Sequence, residues 1–165
     1  MAGNSDREDA LIRALRERFG HASTERAISG PGLENIFQAI ASLDGLNIGQ
    51  TNAVEITRRA LSDECDVAQE ALNTFCALLG SFAGNAALTF GARGGVYVAG
   101  GISPRILSFL TRSQFRARFE AKGRFRRYLE QIPCYVIVHP AAAFLGLKFL
   151  IEASTAGEQK LPHIT

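Results

Sequence analysis

The sequence predicts an α/β fold that is rich in helix and poor in strand. Three observations lead there. Apolar residues recur at helical spacing through most of the first ninety positions. A glycine-flanked run, Val96-Tyr97-Val98, then reads as a strand that passes through Gly100-Gly101 into a helix. A second β-branched run, residues 133–138, is followed by an apolar helix.

Taken in order, the first helix opens with Ser5 and Glu8 in the S-x-x-E spacing, in which each side chain can satisfy a free N–H of the first turn. Leu11, Ile12, Leu15 and Phe19 mark its apolar face, and Gly20 supplies the left-handed residue that commonly ends a helix. Ser29-Gly30-Pro31-Gly32 places a proline at the start of a second helix, along which Leu33, Ile36, Phe37, Ile40 and Leu43 recur at helical spacing. After a loop at residues 44–50, a short helix is expected from Ala53 to Leu61 and a longer one from about Asp66 through Ala87. Gly91-Ala92-Arg93-Gly94-Gly95 breaks that helix before the first strand, which is expected to be buried. Ser103 is a candidate cap and Pro104 a candidate first residue for a helix carrying Ile106, Leu107, Phe109 and Leu110. A basic helical region, the second strand and a helix from about Ala141 to Ala153 complete the domain, expected at residues 1–153. Residues 154–165 read as a polar tail, linker or vector-derived.

Two strands are fewer than a parallel sheet covered on both faces normally holds. The expectation is that further strands hide in segments read as helical, or that the chain is the downstream part of a larger domain.

Composition excludes several classes. With 165 residues, 47% hydrophobic and 21% charged, the chain has material for a core and is not disordered. A formal charge of +2 argues against a whole-protein commitment to nucleic acid or to an acidic membrane surface. Cys65, Cys76 and Cys134 are odd in number and widely spaced, which signals neither zinc nor a disulfide framework and suits a reducing cytoplasm. Residues 71–92 are 22 uncharged positions, long enough to cross a bilayer. Asn73, Thr74, Ser81, Asn85 and Thr89 interrupt them, so a buried helix of a soluble protein is expected instead.

Arg112, Arg116, Arg118, Lys122, Arg124, Arg126 and Arg127, interleaved with Phe115, Phe119, Phe125 and Tyr128, could suggest phosphate or nucleic-acid contacts. Glu120 and Glu130 dilute that pattern, and helices with a solvated basic face and core aromatics explain it better. His21 reads as structural or exposed, and His139 as part of a turn.

The strongest functional signal is the unit Gly94-Gly95-Val96-Tyr97-Val98-Ala99-Gly100-Gly101-Ile102-Ser103-Pro104. Ligands of α/β proteins sit beyond the carboxyl ends of strands, and glycines there let a flat group reach the backbone. A nucleotide is the natural guest, while a tight turn needing glycine for geometry alone is the plain alternative. Neither a dinucleotide fingerprint nor a G-x-x-x-x-G-K-[ST] phosphate loop occurs.

That unit resembles the adenosine motif of bacterial ATP-dependent glucokinases, members of the sugar kinase, actin and Hsp70 superfamily. Three further segments follow in the family's order. His21-Ala22-Ser23-Thr24-Glu25-Arg26-Ala27-Ile28-Ser29-Gly30-Pro31-Gly32-Leu33 is similar to the segment around a sugar-binding glutamate. Gly80-Ser81-Phe82-Ala83-Gly84-Asn85-Ala86-Ala87-Leu88 resembles the helix beside the interdomain hinge, and residues 115–135 resemble the late charged helix and last strand.

The resemblance spans roughly residues 8–152 and implies part of the C-terminal ribonuclease H-like (actin-like ATPase) domain of a hexokinase-type sugar kinase. By the same resemblance Glu25 would hold glucose hydroxyls, Ser29 and Gly30 would shape the sugar loop, and Gly100 and Gly101 would lie against adenosine. The family's catalytic aspartate, phosphate loops and upstream sugar motif precede the first matching segment, so no catalytic residue is assigned to this chain. The implied ligands are glucose and ATP with Mg²⁺, and the implied setting is the cytoplasm. No protein metal site is expected, the chain alone is expected to be catalytically incompetent, and the missing N-terminal part of the kinase is its implied partner. Exposed strand edges lead to the expectation of a homodimer. The alternative function is a non-catalytic sugar- or nucleotide-binding regulatory module on the same scaffold.

Overall fold

In the computed structural model, residues 2–155 are described, and the expected tail lies outside them from residue 156 onward. Helix α1 (Asp6–Phe19) starts at Ser5, whose Oγ accepts the Glu8 N–H, and ends at Gly20 with φ 72°. Helix α2 (Gly30–Leu43) is capped by Ser29, whose Oγ accepts the Gly32 N–H. Helix α3 (Ala53–Leu61) begins at Asn52, whose side chain accepts the Glu55 N–H. Helix α4 (Asp66–Thr89) is the hub and packs against α2 and α3. It alone among the described helices is long and apolar enough to cross a membrane. Its Leu72, Phe75, Cys76 and Leu78 are nevertheless buried in the protein core.

Strand β1 (Val96–Val98) pairs in parallel with β2 (Cys134–Val136), with Tyr97 opposite Tyr135. Between them lie α5 (Leu107–Leu110), α6 (Phe115–Glu120), a 3-10 turn (Gly123–Phe125) and α7 (Arg126–Glu130). Helix α8 (Ala142–Thr155) closes the described chain and runs two residues past the boundary expected at Ala153.

Helices α4 and α6 meet at backbone contact. A Cβ at Gly80 would collide with the Phe115 carbonyl, and one at Gly84 with the Phe119 carbonyl. The two glycines, one turn apart, form a seam that only a missing side chain allows. Phe37, Phe119, Leu33, Ile40 and Leu72 are among the residues fully enclosed around this hub. Burying each such side chain contributes roughly 1.5–3 kcal/mol.

Four expectations need correction. The first strand is not buried on both sides: Val98 faces the core, while Tyr97 is 62% exposed and stacks on Tyr135 at 5.1 Å between ring centres. Only one face of the two-stranded sheet is covered, so alternate residues see solvent. Ser103 makes no cap hydrogen bond, and Pro104 lies in a turn held by Arg105 N–H and Ile106 N–H bonds to the Ile102 carbonyl. The helix proper is the four-residue α5. In the basic region Arg118 is buried, not solvated, because Glu8 meets it from α1. Phe125, expected in the core, is 44% exposed.

Arg116 also has a structural task. It pairs with Glu120 and donates to the Ile132, Leu129 and Glu130 carbonyls, satisfying the free end of α7 and fixing the entry to β2.

Candidate functional site

Two clefts meet at the junction of the helical half with the sheet. The first is built on the loop between α1 and α2. Residues 23–28 close a turn through Arg26 N–H to the Ser23 carbonyl and Ala27 and Ile28 N–H to the Thr24 carbonyl. Ser29 Oγ donates to the Glu25 carbonyl at 2.7 Å while capping α2, so one hydroxyl ties the Glu25 turn to the helix start. Gly32 rests on Ala27, where a Cβ would lie 2.5 Å from the carbonyl carbon. Asn35, itself buried, donates to the Arg26 carbonyl at 3.1 Å. Together they hold Glu25 on an open cleft of about 350 Å³ with Ser23, Arg26, Ser29 and Pro31. The Arg26 guanidinium lies 4.3 Å from the Phe19 ring centre, a cation–π contact. A carboxylate held at such a rim can accept hydrogen bonds from two neighbouring hydroxyls.

The second cleft, about 470 Å³, opens at the carboxyl ends of β1 and β2. Gly100 and Gly101 form one wall, and Val138, His139 and Pro140 another. Gly100 has φ 126°, a conformation that favours glycine. Neither glycine would bring an added Cβ within 4 Å of another atom, so the backbone is open to a guest. His139 acts as the expected turn residue, its Nδ1 accepting the Ala141 N–H.

The two are joined. Ser29, Gly30, Gly100 and Gly101 line one smaller cavity of about 180 Å³, floored by Phe75, Leu79 and Val98. Residues singled out separately in sequence therefore share a surface. His21 is exposed and takes no part. Asn35 and Arg105 were missed: Asn35 reads as an ordinary helix residue, and Arg105, which borders both the strand-end cleft and a pocket beside Gly30, follows a proline in an unremarkable context.

A parallel strand pair that ends in an open glycine turn, flanked by helices carrying a carboxylate-bearing loop, is part of an α/β domain of sugar-kinase type. Comparison supplies the family. The Glucokinase family model matches residues 1–154, and the chain belongs to that family. It is 49% identical over 146 residues to a glucokinase of Cronobacter sakazakii, covering 88% of this chain and 46% of the relative. A glucokinase of Aromatoleum aromaticum is 49% identical over 158 residues, covering 96% and 48%.

The crystal structure of a glucokinase from an Antarctic psychrotroph superposes with a TM-score of 0.85 at 35% identity, over 92% of this chain and 47% of that one. A glucokinase from Balamuthia mandrillaris in complex with glucose shares the fold, with a TM-score of 0.75 at 22% identity, over 84% and 40%. The chain thus spans about half the length of the curated relatives it matches, and it corresponds to the C-terminal portion of a bacterial glucokinase.

Proposed function

We propose that this chain is the C-terminal part of a cytoplasmic glucokinase that transfers the γ-phosphoryl group of MgATP to the 6-hydroxyl of glucose. It supplies Glu25 as a sugar contact, Ser29 and Gly30 as support for that loop, and Gly100 and Gly101 as part of the adenosine wall. The observation that carries this reading is the shared cavity on which Ser29, Gly30, Gly100 and Gly101 meet, because it sets the sugar loop beside the nucleotide turn.

Phosphoryl transfer needs donor and acceptor held together and charge stabilised around the moving group. These residues address the positioning. Glu25 orients hydroxyls, and the glycine turn accepts a flat base. In this reading Mg²⁺ arrives with the nucleotide. The proton acceptor and phosphate loops are contributed by the N-terminal part of the kinase, and the 165 residues alone do not turn over substrate. Helix α8 supports the need for a partner: Phe144, Leu147, Phe149, Leu150 and Ile151 are all more than half exposed, an apolar surface that water disfavours. In the absence of the N-terminal part, self-association into a homodimer would cover it.

Calorimetric titration of the chain with glucose and with a non-hydrolysable ATP analogue tests the assignment. Weak binding of both is expected, with glucose binding lost in Glu25→Ala and analogue binding retained. Unchanged glucose affinity in Glu25→Ala removes the sugar role. A coupled assay showing glucose-dependent ATP turnover by this chain, abolished by Glu25→Ala, overturns its catalytic incompetence.

A further inference from the structure

A third cavity borders the Glu25 turn through Thr24 and lies between the residues preceding α1, the α4 surface and the turn after α6. It measures about 250 Å³ and is lined by Asn4, Thr24, Ser81, Asn85, Arg118 and Lys122 among others. No lining residue is acidic. Arg118 is already neutralised, since both of its terminal nitrogens bond the Glu8 carboxylate, and its Nε donates to Ser81 Oγ at 3.2 Å.

Lys122 differs. Its ammonium has no hydrogen-bond or ion-pair partner among the described residues, and its stem crosses Gly84 on α4, where a Cβ would lie 2.9 Å from its Cε. A half-buried cation is thereby held at the wall of a polar cavity rather than extended into solvent. The Asn85 amide and the Ser81 and Thr24 hydroxyls line the same cavity with donors to spare.

We infer that this cavity binds a small phosphate-bearing anion, with the Lys122 ammonium as its counter-charge and Ser81, Asn85 and Thr24 as hydrogen-bond donors. The chemistry favours an anion over a neutral guest because the wall offers an uncompensated positive charge and an excess of donors. Burial and, to a lesser extent, the nearby Arg118 guanidinium push the Lys122 ammonium below its usual range, and the charge of a bound anion would act in the opposite direction. The site does not rest on the glucokinase assignment.

The test is titration of the intact chain with inorganic phosphate at constant ionic strength, followed by calorimetry and by the backbone amide resonances of Asn4 and Asn85. A phosphorylated hexose forms a parallel arm, with the unphosphorylated hexose as control. Saturable binding with shifts confined to this cavity is expected. Lys122→Met, which keeps the stem over Gly84, should weaken it about tenfold or more, as expected for loss of a charged hydrogen bond. Asn85→Ala should weaken it less. Equal affinities for the two probes assign the site to phosphate itself, and tighter binding of the hexose phosphate assigns it to the ester. No saturable response to either probe overturns the site, as does undiminished binding in a folded Lys122→Met.

Discussion

Arg118 and Glu8, 110 positions apart, are joined by two parallel hydrogen bonds, Nη1 to Oε1 at 2.6 Å and Nη2 to Oε2 at 2.8 Å, in a setting where each side chain is about one-tenth exposed. The pair ties α1 to α6, and the Arg118 Nε donates to Ser81 Oγ on α4 between the two seam glycines. Glu8 Oε2 also accepts the Asn4 N–H at 2.8 Å, so the carboxylate serves the helix start and the long-range contact together.

Breaking that pair from one side should be costly. Arg118→Met leaves a buried carboxylate without its partner, and a loss of about 3–5 kcal/mol is expected in chemical denaturation. The double variant Glu8→Leu, Arg118→Met should recover a large part of it, because neither charge is then stranded.

The same pair sets an acid limit. Burial pushes the Glu8 carboxyl up, but the Arg118 hydrogen bonds, the Asn4 N–H and the guanidinium charge outweigh it and hold the group below its ordinary value of 4.5. A carboxyl lowered by folding adds stability that is present above the unfolded-state value and is lost as pH falls through the folded one. Melting temperature should therefore decline below about pH 4.5 more steeply in the parent than in the double variant, in scans at matched ionic strength.

Gly80→Ala should destabilise the fold although alanine is the better helix former. Its methyl would meet the Phe115 carbonyl, and helix α6 would have to move away. A net loss of about 1–3 kcal/mol is expected from overpacking. Equilibrium denaturation measures it, and a gain in stability would show that the seam can open at little cost.

Gly101→Val separates the turn's geometry from its use. Nothing lies within 4 Å of the position and its φ is not left-handed, so stability should change by no more than about 0.5 kcal/mol. The isopropyl group would instead occupy the surface proposed for adenosine. Binding of an ATP analogue should fall about tenfold or more, an amount set by roughly 1.4 kcal/mol of lost contact.

Cysteine reactivity should divide along burial. Enclosure pushes the Cys76 thiol up to about 11, against a smaller opposing effect from Ser113. Cys65 and Cys134 are only partly buried. In a timed thiol-labelling experiment at pH 8, a working condition near the ordinary thiol range, Cys76 should react last and at the rate of unfolding.

The parts of the fold that could be read from sequence are those whose causes are local. Ser5 and Ser29 cap helices because a hydroxyl reaches an N–H three residues on; the Ser5 cap was expected, and at α2 the expected start signal was the proline. The bounds of α3 follow from apolar spacing, and Asn52 caps its start by the same local device. What escaped depends on distant neighbours. Glu8 looks like half of a capping box, and only the folded chain shows Arg118 beside it. Arg118 itself belongs to a run of arginines whose spacing suggests a wet face, and nothing nearby marks one of them as buried. Val96-Tyr97-Val98 has the composition of an enclosed strand, yet coverage of a sheet face is decided by layers elsewhere. At the candidate site, motif order singled out Glu25, Ser29, Gly30, Gly100 and Gly101 as residues whose roles are proposed, whereas it passed over Asn35, because that residue's task is a hydrogen bond to a turn nine residues earlier.

The stacked pair on the open face of the sheet gives this protein an optical handle. It contains no tryptophan and only three tyrosines. Tyr128 donates its hydroxyl to the Ala92 carbonyl beneath α7, while Tyr97 and Tyr135 lie in contact at the surface. Two of its three phenol chromophores thus report on a single patch, and near-ultraviolet emission and dichroism will register anything that settles against β1 and β2 without a dye or an engineered label.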